Sequence, residues 1–94
     1  MKGDQIMTIK VLGPGCANCK RLEIQTRRAL ESLGVKADVV KVEDLESIMD
    51  YAILRTPGLV VDEQVVSSGR VPTVNEIAGL ISDALHNQEA GAIS

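Results

Sequence analysis

Aromatic residues are almost missing from this chain of 94 residues: it has no Phe, no Trp and one Tyr, Tyr51. Its core must therefore be built from Val, Ile, Leu, Ala and Met. There is no aromatic platform on which nucleic-acid bases could stack. There is no long basic run either, and the formal net charge is −3. Nucleic acid is therefore not an expected partner. No apolar stretch approaches the roughly 20 residues of a membrane-spanning helix. The segment Met1–Lys10 lacks the apolar run of a secretory leader. The expectation is a cytoplasmic protein with no membrane partner. Cysteine is scarce too, limited to Cys16 and Cys19. In the cytoplasm a persistent structural disulfide is improbable, so two cysteines point to redox chemistry or to a metal.

What is present is a small globular composition, 45% apolar, long enough for one modest domain. Ile6 to Leu12 reads as a strand with few polar interruptions, as in a central strand covered on both faces. Gly13-Pro14-Gly15 ends it. Cys16 to Leu33 reads as a helix in which Cys19, Leu22, Thr26, Ala29, Leu30 and Leu33 share one face. Lys20, Arg21, Arg27, Arg28 and Glu31 lie opposite, as a solvated face with Glu23–Arg27 and Arg27–Glu31 pairs. Gly34 is a natural stop. Ala37 to Val42 is a second strand. Asp44 caps a short helix from Leu45 to about Ile53.

Thr56-Pro57-Gly58 breaks the chain again. Leu59–Val61 and Val65–Ser67 form a hairpin across Asp62-Glu63-Gln64. Gly69 marks a turn. Thr73 and Glu76 have capping-box spacing at the start of a last helix, whose apolar face is Val74, Ile77, Leu80, Ile81, Ala84 and Leu85. Gly79 in that helix suggests close packing. The order is β-α-β-α-β-β-α in a single domain over residues 1–94, with a core from about 6 to 86. Met1–Gln5 reads as loose, and residues 87–94 as a frayed tail.

The two cysteines fall where the first strand gives way to the first helix. A helix N-terminus favours negative charge, and the thiolate is the reactive form of cysteine. On the helical wheel Cys19 opens the buried stripe, while Cys16 lies nearer solvent. One accessible and one sheltered thiol is the asymmetry that an attacking and a resolving cysteine need.

Gly13-Pro14-Gly15-Cys16-Ala17-Asn18-Cys19, Thr56-Pro57-Gly58-Leu59-Val60-Val61-Asp62 and Ser68-Gly69-Arg70-Val71-Pro72-Thr73, in this element order, resemble the thioredoxin superfamily. The likeness is to its minimal, glutaredoxin-sized group, often named redox-active disulfide protein 2 or small thioredoxin-like proteins. It spans about Ile6 to Leu85. It implies an α/β fold with a four-stranded mixed sheet and three helices, and thiol–disulfide exchange with protein or small-thiol disulfides. By the same resemblance Cys16 is the nucleophile and Cys19 the resolving thiol. Pro57 is a cis-proline facing the disulfide. Thr56 pairs through its backbone with an extended substrate. Gly69 keeps the groove open, and Gly15 stands where an aromatic is common. No cofactor beyond the Cys16–Cys19 disulfide is implied. An upstream reductase and a monomeric state are.

Three departures accompany the likeness. Ala17-Asn18 replaces the common Gly-Pro between the cysteines. Gly15 replaces the aromatic. The first strand lacks the buried acid that assists proton transfer to the resolving cysteine in thioredoxins, and the orientation of Lys10 in that strand is open. Gly-x-x-Cys-x-x-Cys also resembles heavy-metal-associated copper chaperones, in which two thiolates hold Cu(I). A soft-metal or metalloid carrier using Cys16 and Cys19 is thus the alternative. A closed zinc site would need four ligands, and only His86 remains. A non-catalytic adaptor binding through the Thr56-Pro57 groove is a third class.

Overall fold

The computed structural model describes residues 7–53 and 55–93, with side chains as far as residue 85. Its elements are β1 (Met7–Leu12), α1 (Ala17–Leu33), β2 (Ala37–Val42), α2 (Leu45–Met49), β3 (Gly58–Val61), β4 (Gln64–Ser68) and α3 (Val74–Ile93). The four strands form one mixed sheet in the order β2-β1-β3-β4. β1 runs parallel to β2 and antiparallel to β3, and β3 is antiparallel to β4. β1 is therefore central, as its near-continuous apolar sequence predicts.

Side chains alternate across β1. Met7, Ile9 and Val11 join Leu22, Ala29 and Leu30 of α1, Leu59 and Val61 of β3, and Ile77 and Ile81 of α3 in the main core. On the other face Leu12 meets Val60 and Ile48 of α2. Each fully buried Leu or Ile contributes about 1.5–3 kcal/mol relative to exposure, so the α1–α3 face carries most of the stability. That face anchors the helix on which the cysteines sit.

Several expected boundaries shift. The start of the first strand at Ile6 and the loose segment Met1–Gln5 lie outside the described residues. Cys16 is the N-cap of α1 rather than its first helical residue. α2 ends at Met49, not Ile53, and passes through a turn with Ala52 at φ 56°. Leu33 is not part of the buried stripe: it is 37% exposed. The hairpin turn is two residues, since Val61 pairs with Gln64. Asp62 and Glu63 both have positive φ, as a tight hairpin twist requires. Gly79 has open space around its missing Cβ, so no close packing explains it. Of the expected frayed tail, residues 87–93 lie within the bounds of α3.

Candidate active site

The site begins where β1 runs out. Gly13 N–H donates to the Val42 carbonyl at 2.9 Å, extending the β1–β2 ladder by one residue. The chain then turns through exposed Pro14 and through Gly15, whose φ of 90° suits glycine. Cys16 follows in extended backbone, and its carbonyl accepts the first helical bond from Lys20 N–H at 3.0 Å. No acidic residue occupies the first turn of α1, so none of its own first-turn side chains offsets the positive end of the helix at Cys16.

The two thiols differ as the wheel predicts. Cys16 is exposed and Cys19 buried. Cys16 Sγ takes the N-cap acceptor role and receives the Cys19 backbone N–H at 3.3 Å. The Cys19 side chain foremost, then the backbone N–H groups of Cys19 and Asn18, favours the Cys16 thiolate and lowers its pKa from the ordinary 9.0. Cys19 moves the other way. Burial is the main cause, and its hydrogen bond to Cys16 adds to it. One thiol is poised to ionise, and the other keeps its proton.

Gly13 is a site residue that sequence reasoning missed, having read it only as a strand breaker. A Cβ at Gly13 would collide with Cys19 Sγ and would lie 3.7 Å from Thr56 Cβ. Gly13 thus separates the buried thiol from the Thr56–Pro57 turn.

The Thr56–Pro57 peptide bond is cis, with Pro57 buried and Thr56 exposed. The Pro57 carbonyl accepts Gly69 N–H at 2.9 Å. Gly69 has a φ of 76°, and a Cβ there would press on Arg55 Cβ at 3.3 Å. Gly15, Cys16, Thr56, Pro57 and Gly69 thus all lie outside the helices and strands. The close approach at Gly13 links the cysteine loop to the Thr56 turn.

Lys10 points to the α2 face, away from α1. Its Nζ meets Tyr51 Oη and Glu63 Oε2, each at 2.7 Å, and Tyr51 Oη donates to Glu63 Oε1 at 2.7 Å. The single aromatic residue of the chain is therefore spent on this polar triad and not on the cysteine loop. Ile24 is 52% exposed on α1. Among the described residues, no group of three or more Cys, His, Asp or Glu is arranged to hold a metal ion. The side chain of His86 lies outside the described residues.

The family description "Thioredoxin domain" matches residues 7–82. The chain belongs to the thioredoxin family. It is 36% identical over 77 residues to the thioredoxin of Methanothermobacter thermautotrophicus, covering 82% of this chain and 100% of that one. It is 35% identical over 72 residues to the thioredoxin of Methanocaldococcus jannaschii, covering 77% of this chain and 83% of that one. Among solved structures, thioredoxin-2 of a malaria parasite superposes with a TM-score of 0.62 at 13% identity, covering 83% of this chain and 82% of that one. The germline-specific thioredoxin Deadhead of Drosophila melanogaster gives 0.59 at 16%, covering 87% and 84%. These last two show the shared fold. The thioredoxin family is one of thiol–disulfide oxidoreductases, and this member keeps two cysteines at the Cys-x-x-Cys spacing.

Proposed function

We propose that the chain reduces or exchanges disulfides in a protein or small-thiol partner, with Cys16 as nucleophile and Cys19 as resolving thiol. The observation that carries this reading is the opposed pair of environments: an exposed sulfur favoured as thiolate beside a buried one favoured as thiol. Cys16 thiolate attacks one sulfur of the substrate disulfide, and the other sulfur leaves as a thiolate. Cys19 then attacks Cys16 Sγ, closes the Cys16–Cys19 disulfide and frees the second substrate sulfur. The pair's two electrons pass to the substrate, and no further cofactor is needed.

The exposed Thr56 turn and Gly69 offer the surface on which an extended substrate segment would lie across Cys16, with Gly15 leaving the approach to that sulfur unhindered. A disulfide-bearing protein is the kind of substrate thioredoxins act on, and an upstream reductase would restore the dithiol. The reading places the protein in the cytoplasm as a monomer. Among the described residues no helix is long and apolar enough to cross a membrane.

The test is trapping. Cys19→Ser leaves Cys16 able to attack but removes the resolving sulfur. A covalent mixed disulfide with substrate thiol should then accumulate, visible by mass and released by a small thiol. Cys16→Ser should trap nothing. The dithiol of the unmodified protein should titrate as one two-electron couple between roughly −300 and −120 mV. A pair that never closes into a disulfide, or a Cys19→Ser protein that traps no partner, would overturn the proposal and favour thiolate metal binding.

A further inference from the structure

We infer that Glu23, assisted by Lys41, takes the proton that Cys19 must lose before it can attack, by way of a water-sized cavity that opens onto the Cys19 thiol. The inference rests on the exchange reading above and names a residue for its second step.

A thiol is a poor nucleophile until it ionises. Cys19 is 5% exposed, so bulk water has little access to its proton. β1, the strand behind it, is Met-Thr-Ile-Lys-Val-Leu and supplies no carboxylate. Its one charged residue, Lys10, is engaged with Tyr51 and Glu63. The proton needs another acceptor.

A cavity of about 30 Å³ lies against Cys19. One water needs about 10–15 Å³ of such space and two or more polar partners. Val11, Gly13 and Gly15 form part of its wall, and the polar lining comes from Lys20, Glu23, Lys41 and Glu43. Glu23 is four residues after Cys19 in α1, so the two side chains neighbour each other along one side of the helix. Its side chain is only 18% exposed. Oε2 is held by Arg27, at 3.2 Å from Nε and 3.0 Å from Nη2. Oε1 lies 3.7 Å from Lys41 Nζ, beyond hydrogen-bond range. One oxygen is thus fixed, and the other is left with room to accept a proton through a bridging water. Glu43 also lines the cavity but is an exposed side chain.

The charges around the cavity suit the step. Lys20, Arg27 and Lys41 are positive, and Glu23 and Glu43 are negative. Once Cys16 is in the mixed disulfide, its own charge is gone. The Cys19 proton moves to Glu23, and the Lys41 ammonium opposes the charge left on sulfur. That electron pair forms the Cys16–Cys19 bond while the bond from Cys16 to the substrate sulfur breaks. The substrate leaves as a thiolate, and Glu23 returns the proton to it through solvent.

The test separates the two steps. The reduced protein is mixed in a stopped-flow instrument with one equivalent of 5,5′-dithiobis(2-nitrobenzoate). Attack by Cys16 releases one coloured thiolate, and attack by Cys19 releases the second. Glu23→Gln should leave the first release unchanged and slow the second about 100-fold or more at neutral pH. The deficit should fade as pH rises and hydroxide ionises Cys19 directly. Lys41→Gln should slow the second release to a smaller degree, and Glu43→Gln should leave both unchanged. A second release that is insensitive to Glu23→Gln, equally slowed at every pH, or slowed as much by Glu43→Gln overturns the relay. Absence of the first release from the unmodified protein would instead overturn the exchange reading itself.

Discussion

Cys16 Sγ accepts a hydrogen bond from the backbone N–H of Cys19 at 3.3 Å, so the buried cysteine favours the thiolate of the exposed one. The Cys19 side chain is the largest cause of the lowered Cys16 pKa. The effect is local: it needs one turn of α1 and no distant cation. Lys20 is exposed.

Alkylation rates against pH should resolve the two thiols. A lowered pKa means that Cys16 holds more thiolate at neutral pH than a free cysteine, so iodoacetamide should modify it first. Cys19, raised by burial, should react only at distinctly alkaline pH. Cys19→Ala removes the main cause of the shift, so the Cys16 profile should move upward toward 9.0 without reaching it, because backbone N–H groups remain. Two thiols titrating together in the unmodified protein would contradict the asymmetry.

The Lys10–Tyr51–Glu63 triad predicts a specific pH dependence of stability. The Lys10 side chain foremost, then Tyr51, lowers the Glu63 pKa from 4.5, while Glu63 and Tyr51 raise that of Lys10 from 10.5. Glu63 therefore contributes fully above its unfolded pKa, and the contribution is lost as pH falls through the folded value. Lys10 contributes fully below its unfolded pKa and loses this only as pH rises through its folded value. At neutral pH both are intact. Glu63→Gln should lower Tm by a small, constant amount there, since the Glu63 side chain is 65% exposed. The gap to the unmodified protein should close below about pH 4. A gap unchanged in acid would show that the ion pair contributes nothing.

Thr26 is the one buried polar residue among the described residues, and its hydroxyl donates to the Leu22 carbonyl at 2.7 Å. That carbonyl also lies in the helical ladder, so losing the hydroxyl leaves no acceptor stranded. Thr26→Val should change stability by no more than about 1 kcal/mol. Leu22→Ala, at a fully buried position one turn earlier, should cost about 2–5 kcal/mol. Urea denaturation of both variants checks the contrast.

Much of the architecture was legible because it depends on local pattern. The period of α1 placed Cys19 inward and Cys16 outward. The apolar run of β1 marked it as central. The spacing of Thr73 and Glu76 forecast a capping box, which forms in both directions at 2.9 and 3.1 Å. What stayed hidden depends on residues distant in sequence. The orientation of Lys10 is set by Tyr51 and Glu63, 41 and 53 positions away. Glu23 was read as part of a solvated face because its i,i+4 partner Arg27 is real, while Lys41 reaches the same carboxylate from another element.

Gly13→Ala is the sharpest probe of how the fold holds its site. The substitution should be harmless by backbone conformation, because Gly13 does not adopt a positive φ. The obstacle is steric: the new Cβ would collide with Cys19 Sγ, with Thr56 Cβ just beyond at 3.7 Å. The sulfur has to move, and the cost of overfilling a packed site is about 1–3 kcal/mol. The displacement should fall on the second chemical step more than the first. Cys16, exposed and on the far side of the turn, keeps its N-cap position. Mixed-disulfide formation should proceed nearly as before, while closure by Cys19 slows and the trapped species persists. Equal loss of both steps would mean that Gly13 merely supports the loop.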